Sequence, residues 1–160
     1  MSRKHESPGA GLLRSWERTR RLPFGNRAFS WFVGRMAPYT GSMAATVLAL
    51  EPGHARVALR DRRAVRNHLN SVHAVALANL GELTTGLALT TALAPAVRGI
   101  PVRLTIGYHK KARGTITAEC RCGSIAAMTA PTDHAVTARL RDGDGDVVAE
   151  VEAVWRLGPL

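Results

Sequence analysis

Residues 67–89 run NHLNSVHAVALANLGELTTGLAL, and the assignment of this stretch decides the fold. From Val72 to Ala94 the side chains are apolar or neutral apart from one acid, Glu82, and one histidine, His73. The run is long enough to span a bilayer. However, His73, Asn79, Glu82 and four threonines interrupt it, and a central acid costs roughly 2.5 kcal/mol or more in lipid. No second such segment exists, and strand-like sequence follows. The stretch therefore predicts a buried core helix that holds an acid.

Outward from that helix the patterning changes to period two. Before it, SMAATVLALEPGHARVALR predicts two strands turned at Pro52-Gly53. After it, IPVRLTIGYHK sets Val102, Leu104, Ile106 and Tyr108 on one face and Arg103, Thr105 and His109 on the other. GTITAECRC alternates in the same way, with Ile116, Ala118, Cys120 and Cys122 sharing a face. DHAVTARLRDGDGDVVAEVEAVWRL is a hairpin whose second strand sets Val147, Ala149, Val151, Ala153 and Trp155 opposite Glu150, Glu152 and Arg156. Such alternation predicts an α+β domain, a largely antiparallel sheet with one face covered by the long helix. DGDGD imitates the start of a calcium loop, but the required glycine and glutamate positions hold Val147 and Ala153. A hairpin turn is expected there.

The first 40 residues differ in composition. Six of the eight aromatics lie in them, so they are set apart as a basic, aromatic-rich helical extension, residues 1–40, ahead of a domain at 41–160. Phe29, Phe32, Val33 and Met36 follow a helical period stopped by Pro38, and a shorter helix is expected around Leu12, Leu13 and Trp16, broken by LPFGN. These helices either pack on the domain or meet a membrane surface as a peripheral element. The N-terminus has no apolar run that would serve a signal peptide, so the expected location is cytoplasmic. Two cysteines fit a reduced compartment, and they are expected as core residues rather than a metal site. A net charge of +10 attracts anions without choosing among nucleic acid, lipid and phosphate-bearing small molecules. No helix-turn-helix, basic–aromatic strand motif or zinc spacing is present, so no nucleic-acid partner is expected.

The order of elements, with Asn67 six residues before His73 and Glu82 nine after it, resembles the hotdog fold. It is similar to the phenylacetic-acid-degradation type of acyl-CoA thioesterase, whose members carry an Asn, a His-Gly-Gly at the helix start and an acid on the helix. The longer string Asn67-His68, His73-Ala74, Leu80, Glu82 and Gly86, with YHKKARG downstream, is similar to a hotdog branch carrying only domain-of-unknown-function labels. The resemblance covers residues 40 to 157. Where that pattern has a glycine before the His and two after it, this chain has Ser71, Ala74 and Val75.

The resemblance implies hydrolysis of acyl-CoA or related thioesters, with no separate cofactor because coenzyme A is part of the substrate. A helix N-terminus presents unpaired N–H groups, so the amides around Ala74 and Val75 are candidate donors to a thioester oxyanion. Ser71 suits the helix cap. Glu82 is the candidate base or nucleophile, its pKa raised by burial; the alternative is a structural acid paired with an arginine or a partner chain. Asn67 either orients water or caps its loop, and His73 either fixes that loop or takes part in chemistry. Lys110, Lys111 and Arg113 are candidates to meet coenzyme A's phosphates, with Arg60, Arg62, Arg63 and Arg66 as a second cluster. Each cluster is equally a solvated edge. At nine residues' separation, His73 and Glu82 fall on opposite sides of a helix, about 13 Å apart along it. A site using both must join two protomers, which calls for a homodimer, with a tetramer left open. The missing glycines keep a non-catalytic acyl-CoA or lipid-binding protein in play as the alternative.

Overall fold

The computed structural model describes residues 7–160; residues 1–6 of the expected N-terminal extension lie outside the described residues. The elements are α1 (Pro8–Thr19), α2 (Gly25–Met36), α3 (Pro38–Gly41), β1 (Thr46–Glu51), β2 (His54–Leu59), α4 (Ala74–Ala92), β3 (Val97–Tyr108), β4 (Ile116–Arg121), β5 (Thr132–Arg141) and β6 (Val147–Pro159). A single 3₁₀ turn at Arg63–Val65 precedes α4. The strands form one six-stranded antiparallel sheet in the order β1-β2-β4-β5-β6-β3. DGDGD makes the β5–β6 turn, where Asp142 Oδ1 accepts the N–H groups of Asp144 and Asp146.

The long apolar stretch is α4, and it is apolar all round because it is covered from two sides. Leu77, Leu80, Ala88 and Leu89 are buried in the main core with the inward side chains of β2, β4, β5 and β6. Buried threonines are tolerated because each hydroxyl donates to a carbonyl of its own helix, as Thr84 does to Leu80 at 2.7 Å. Gly81 sets the closest approach, since a methyl there would run into the side chain of Val151 on β6. On the opposite side α1 and α3 close over the helix. Gly9 sits against the backbone of Thr90, and the Thr40 hydroxyl donates to Asn79 Oδ1 at 3.1 Å. No helix among the described residues is long and apolar enough to cross a membrane.

Two patterning expectations need correction. Phe29 and Val33 of α2 are buried, but Phe32 is 43% and Met36 63% exposed, so the packed face is narrower than the period implied. The helix ends at Met36, and α3 folds back with Gly41 against Gly34, leaving those two side chains beyond the contact. The second correction concerns β3. Leu104, Ile106 and Tyr108 lie opposite Ala153, Val151 and Ala149, on the inward face of the sheet. A bulge between Pro101 and Arg103 takes Val102 out of that register. Even so, Leu104 is 42% and Tyr108 49% exposed, because β3 is an edge strand that α4 covers only in part. One apolar strip of the inner face is thus left uncovered.

Gly81→Ala is expected to lower stability by about 1–2 kcal/mol, since overpacking against Val151 outweighs the better helix propensity of alanine. Gly143→Ala, with open space at its β-carbon position, serves as the near-neutral comparison. Urea unfolding of both decides; an unchanged Gly81→Ala midpoint would mean that the helix does not close on β6 there.

Candidate active site

The loop before α4 is built to hold the helix start in place. Asn67 Oδ1 accepts the N–H groups of Leu69 at 2.9 Å and Ser71 at 3.2 Å, while its Nδ2 donates to Ser71 Oγ at 3.3 Å. Val72 N–H donates to the Ala112 carbonyl and His73 N–H to that of Val65, both at 2.8 Å. The helix cap is His73, not Ser71 as expected: His73 Nδ1 accepts the Val75 N–H at 3.1 Å. Ser71 is buried two residues earlier and is taken up by the Asn67 turn.

Capping by His73 decides which amides are free. Leu77 N–H reaches the His73 carbonyl at 3.1 Å, the first bond of the helix proper. Val75 N–H is held by the imidazole. The N–H groups of Ala74 and Ala76 have no acceptor among the described residues. Two donors therefore stand at the positive end of the α4 dipole. Tyr108, which the sequence placed only as a strand residue, comes to the same spot: its hydroxyl donates to the Ala74 carbonyl at 3.1 Å, and partial burial pushes the phenol pKa up.

Glu82 lies two turns along. Its carboxylate has no hydrogen bond or ion pair among the described residues, so none of them supplies the arginine partner of the structural alternative. Burial without a partner pushes its pKa up. One turn later Gly86 lies against the indole of Trp155, and Leu89 approaches Gly99 of β3. Residues at i, i+4 and i+7 share a helix face, so Glu82 belongs to the flank of α4 that overlooks β3 and its uncovered strip. The buried Trp155 Nε1–H on this flank also has no acceptor among the described residues. Glu82 and the α4 start are not brought together within one chain; the helix itself keeps them apart.

The basic candidates separate. Lys110 Nζ is bound by Asp142 at 2.8 Å and Asp146 at 2.7 Å, so its charge is spent on the β5–β6 turn and its pKa is driven up. Lys111 and Arg113 flank Ala112, whose carbonyl anchors Val72, which places both near the helix start. Asp61 takes Arg66 at 2.6 Å and accepts Gly114 N–H at 3.0 Å, and the Arg66 guanidinium holds its carboxyl below the usual range. Arg60 and Arg62 line a cavity of 880 Å³ between α2, α3 and β1.

A family model described as Domain of unknown function (DUF4442) matches residues 25–157. No curated protein matches the chain. Among solved structures, a structural-genomics protein is 28% identical, with 94% of this chain and 100% of that one covered and a TM-score of 0.81. A protein of unknown function from Pseudomonas aeruginosa, described as a probable thioesterase, is 24% identical over 87% of this chain and 97% of its own, with a TM-score of 0.71. A mutant of the phenylacetic acid degradation protein of Thermus thermophilus is 19% identical over 74% and 97%, with a TM-score of 0.59.

An unpaired, half-buried carboxyl has a pH signature. Because the Glu82 pKa is raised, the folded chain binds more protons than the unfolded one between the ordinary glutamate value and the raised value. Stability therefore falls as pH rises through that window. Glu82→Gln is expected to raise Tm near pH 7, with the gain shrinking as pH falls below the ordinary glutamate range. Melting curves across pH check this; a lower Tm for the variant at neutral pH would mean that the carboxylate has a stabilising partner.

Proposed function

The chain belongs to the family described as Domain of unknown function (DUF4442), with the hotdog fold, and on that premise we propose that it hydrolyses acyl-CoA or related thioesters at a site divided between two protomers. The observation that carries this reading is the isolated Glu82 carboxyl facing an uncovered apolar edge, on a helix whose start offers two unpaired amides. Structures of this shape that bear thioesterase descriptions support the reaction class.

Pairing two β3 edges about a twofold axis would cover the apolar strip and satisfy the free edge of the sheet. It would also lay the two α4 helices side by side and antiparallel, bringing Ala74–Ala76 of one chain towards the Glu82 flank of the other. In the hydrolysis, Glu82 takes a proton from water as the water oxygen attacks the thioester carbon. The developing oxyanion accepts from the Ala74 and Ala76 N–H groups of the partner helix. Collapse of the tetrahedral intermediate breaks the carbon–sulfur bond, and Glu82 returns the proton to the departing thiolate. Glu82 acting instead as the nucleophile passes through an anhydride that water then opens. Val75 contributes least to the oxyanion, since its N–H is already held. Asn67 and His73 act as positioning residues that fix the helix start.

A non-catalytic acyl-CoA or lipid binder is the second reading, favoured by one specific feature. The Val75 side chain, 54% exposed, stands at the helix start where the thioesterase pattern has glycine. Release of free thiol from a panel of acyl-CoAs separates the two. Under the catalytic reading Glu82→Gln lowers turnover by about 10² or more while ligand binding survives. Wild-type turnover in that variant would remove Glu82 from the mechanism. Binding without thiol release from any thioester would select the second reading.

A further inference from the structure

We propose that the cavity between α2, α3 and the segment following β2 receives the phosphorylated nucleotide end of coenzyme A. The inference rests on the thioester reading above and adds to it the handle on the substrate. At 880 Å³ the cavity is large enough for a nucleotide. Four arginines line it: Arg27 and Arg35 from α2, and Arg60 and Arg62 from the segment after β2. Arg62 Nη2 donates to the carbonyls of Ser42 at 3.1 Å and Met43 at 2.7 Å, which orients the group without neutralising it. Arg35 lies 5.7 Å above the Trp31 ring. Arg27 and Arg60 have no partner among the described residues.

Among the described residues the only acid lining the cavity, Asp61, is engaged by Arg66, which is not one of the lining residues, and by the Gly114 amide. The four arginines are thus left with an uncompensated charge, and their planar forks match phosphate oxygens geometrically. Trp31, also in the lining and 70% exposed, offers an aromatic ring on which a base can stack. Leu83 of α4 forms part of the wall. A smaller recess lined by His73, Val75 and Asn79 shares α3 and the 60–66 segment with the cavity, which places the helix start next door. The loop carrying Lys111 and Arg113 offers two charges, and Lys110 is already committed to Asp142 and Asp146.

Calorimetric titration with adenosine 3′,5′-bisphosphate tests the assignment. One saturable site per chain is expected. Arg27→Gln combined with Arg60→Gln should weaken it by at least about tenfold, the loss expected when charge-assisted hydrogen bonds are removed. Trp31→Ala should weaken it too, whereas Arg139→Gln, on a strand remote from the cavity, should not. All these side chains are exposed, so folding is retained and circular dichroism verifies it. Three results would overturn the inference: no binding, binding lost through Lys111→Ala with Arg113→Ala instead, or inorganic phosphate binding as tightly as the nucleotide. Hydrolysis of an acyl-pantetheine, which lacks the nucleotide, monitors the thioester site separately. Hydrolysis without nucleotide binding defeats this inference alone; nucleotide binding without hydrolysis of any thioester defeats the proposed function alone.

Discussion

A single α-helix with its side chains is about 10–12 Å across, whereas six strands spaced about 4.8 Å apart make a sheet roughly 24 Å wide. One helix cannot cover that sheet. Here α4 is pulled onto β6 by the absence of a side chain at Gly81 and lies over the central strands. The β1 side of the gap is filled by α1, α2 and α3, where Trp16 and Phe29 are buried and pack edge to face at 5.2 Å. On the β3 side α4 reaches the strand only in part. Leu104, Ile106 and Tyr108 point inward from an edge strand and remain partly exposed. A long apolar edge of this kind is a liability unless another chain covers it.

Glu82 stands on the flank of α4 that this gap exposes, and its chemistry follows from that position. On the β1 side Asn79 is already bound to Thr40, and on the sheet side an acid would be buried among leucines. Towards β3 the carboxyl is half-buried, unpaired and raised in pKa, the combination that marks candidate acid–base groups. The other polar residues of the pattern are spent on the backbone. Asn67 holds its turn, and His73 holds Val75. What remains for chemistry is one carboxyl and the positive end of one helix, kept apart by the length of that helix.

Much of the architecture was legible in the sequence because each element has one dominant period. The β4 face, and the β6 face from Ala149 onward, were readable from alternation, and α4 from an apolar run too long for a strand and too polar for a membrane. At the start of β6 a bulge pairs Val147 with the exposed Arg141 and buries Val148 in place of the expected Val147. Coverage was not legible. Alternation shows that Leu104 and Tyr108 share a face, but not whether a helix reaches that face. Phe32 and Met36 misled for the same reason, since a helical period says nothing about how wide the contact will be. At the site, Glu82 could be picked out because a lone acid in an apolar run is conspicuous. The cap could not: Ser71 suits a cap by residue type, but the turn held by Asn67 moves the helix start two residues on. Of the arginine-lined cavity, Arg60 and Arg62 were named as a phosphate cluster, but Arg27 and Arg35 of α2 were out of reach because they are distant in sequence and join that cluster only through the fold.

The division of the site between two chains is the central claim, and complementation between two variants tests it most directly. Ala74 is the first residue of α4, and His73 before it already has the extended conformation, φ −64° and ψ 140°, that a following proline prefers. Ala74→Pro therefore removes one free N–H at a position where helices accept proline. Glu82→Gln removes the base. Each homodimer then has two damaged sites, whereas a mixed dimer regains one intact site, from the Ala74 amide of one chain and the Glu82 of the other. Half of a randomly reassociated population is mixed, so the account predicts recovery to roughly a quarter of wild-type activity for a twofold dimer with independent sites. Inactive mixed dimers, isolated by differential tags, would contradict it.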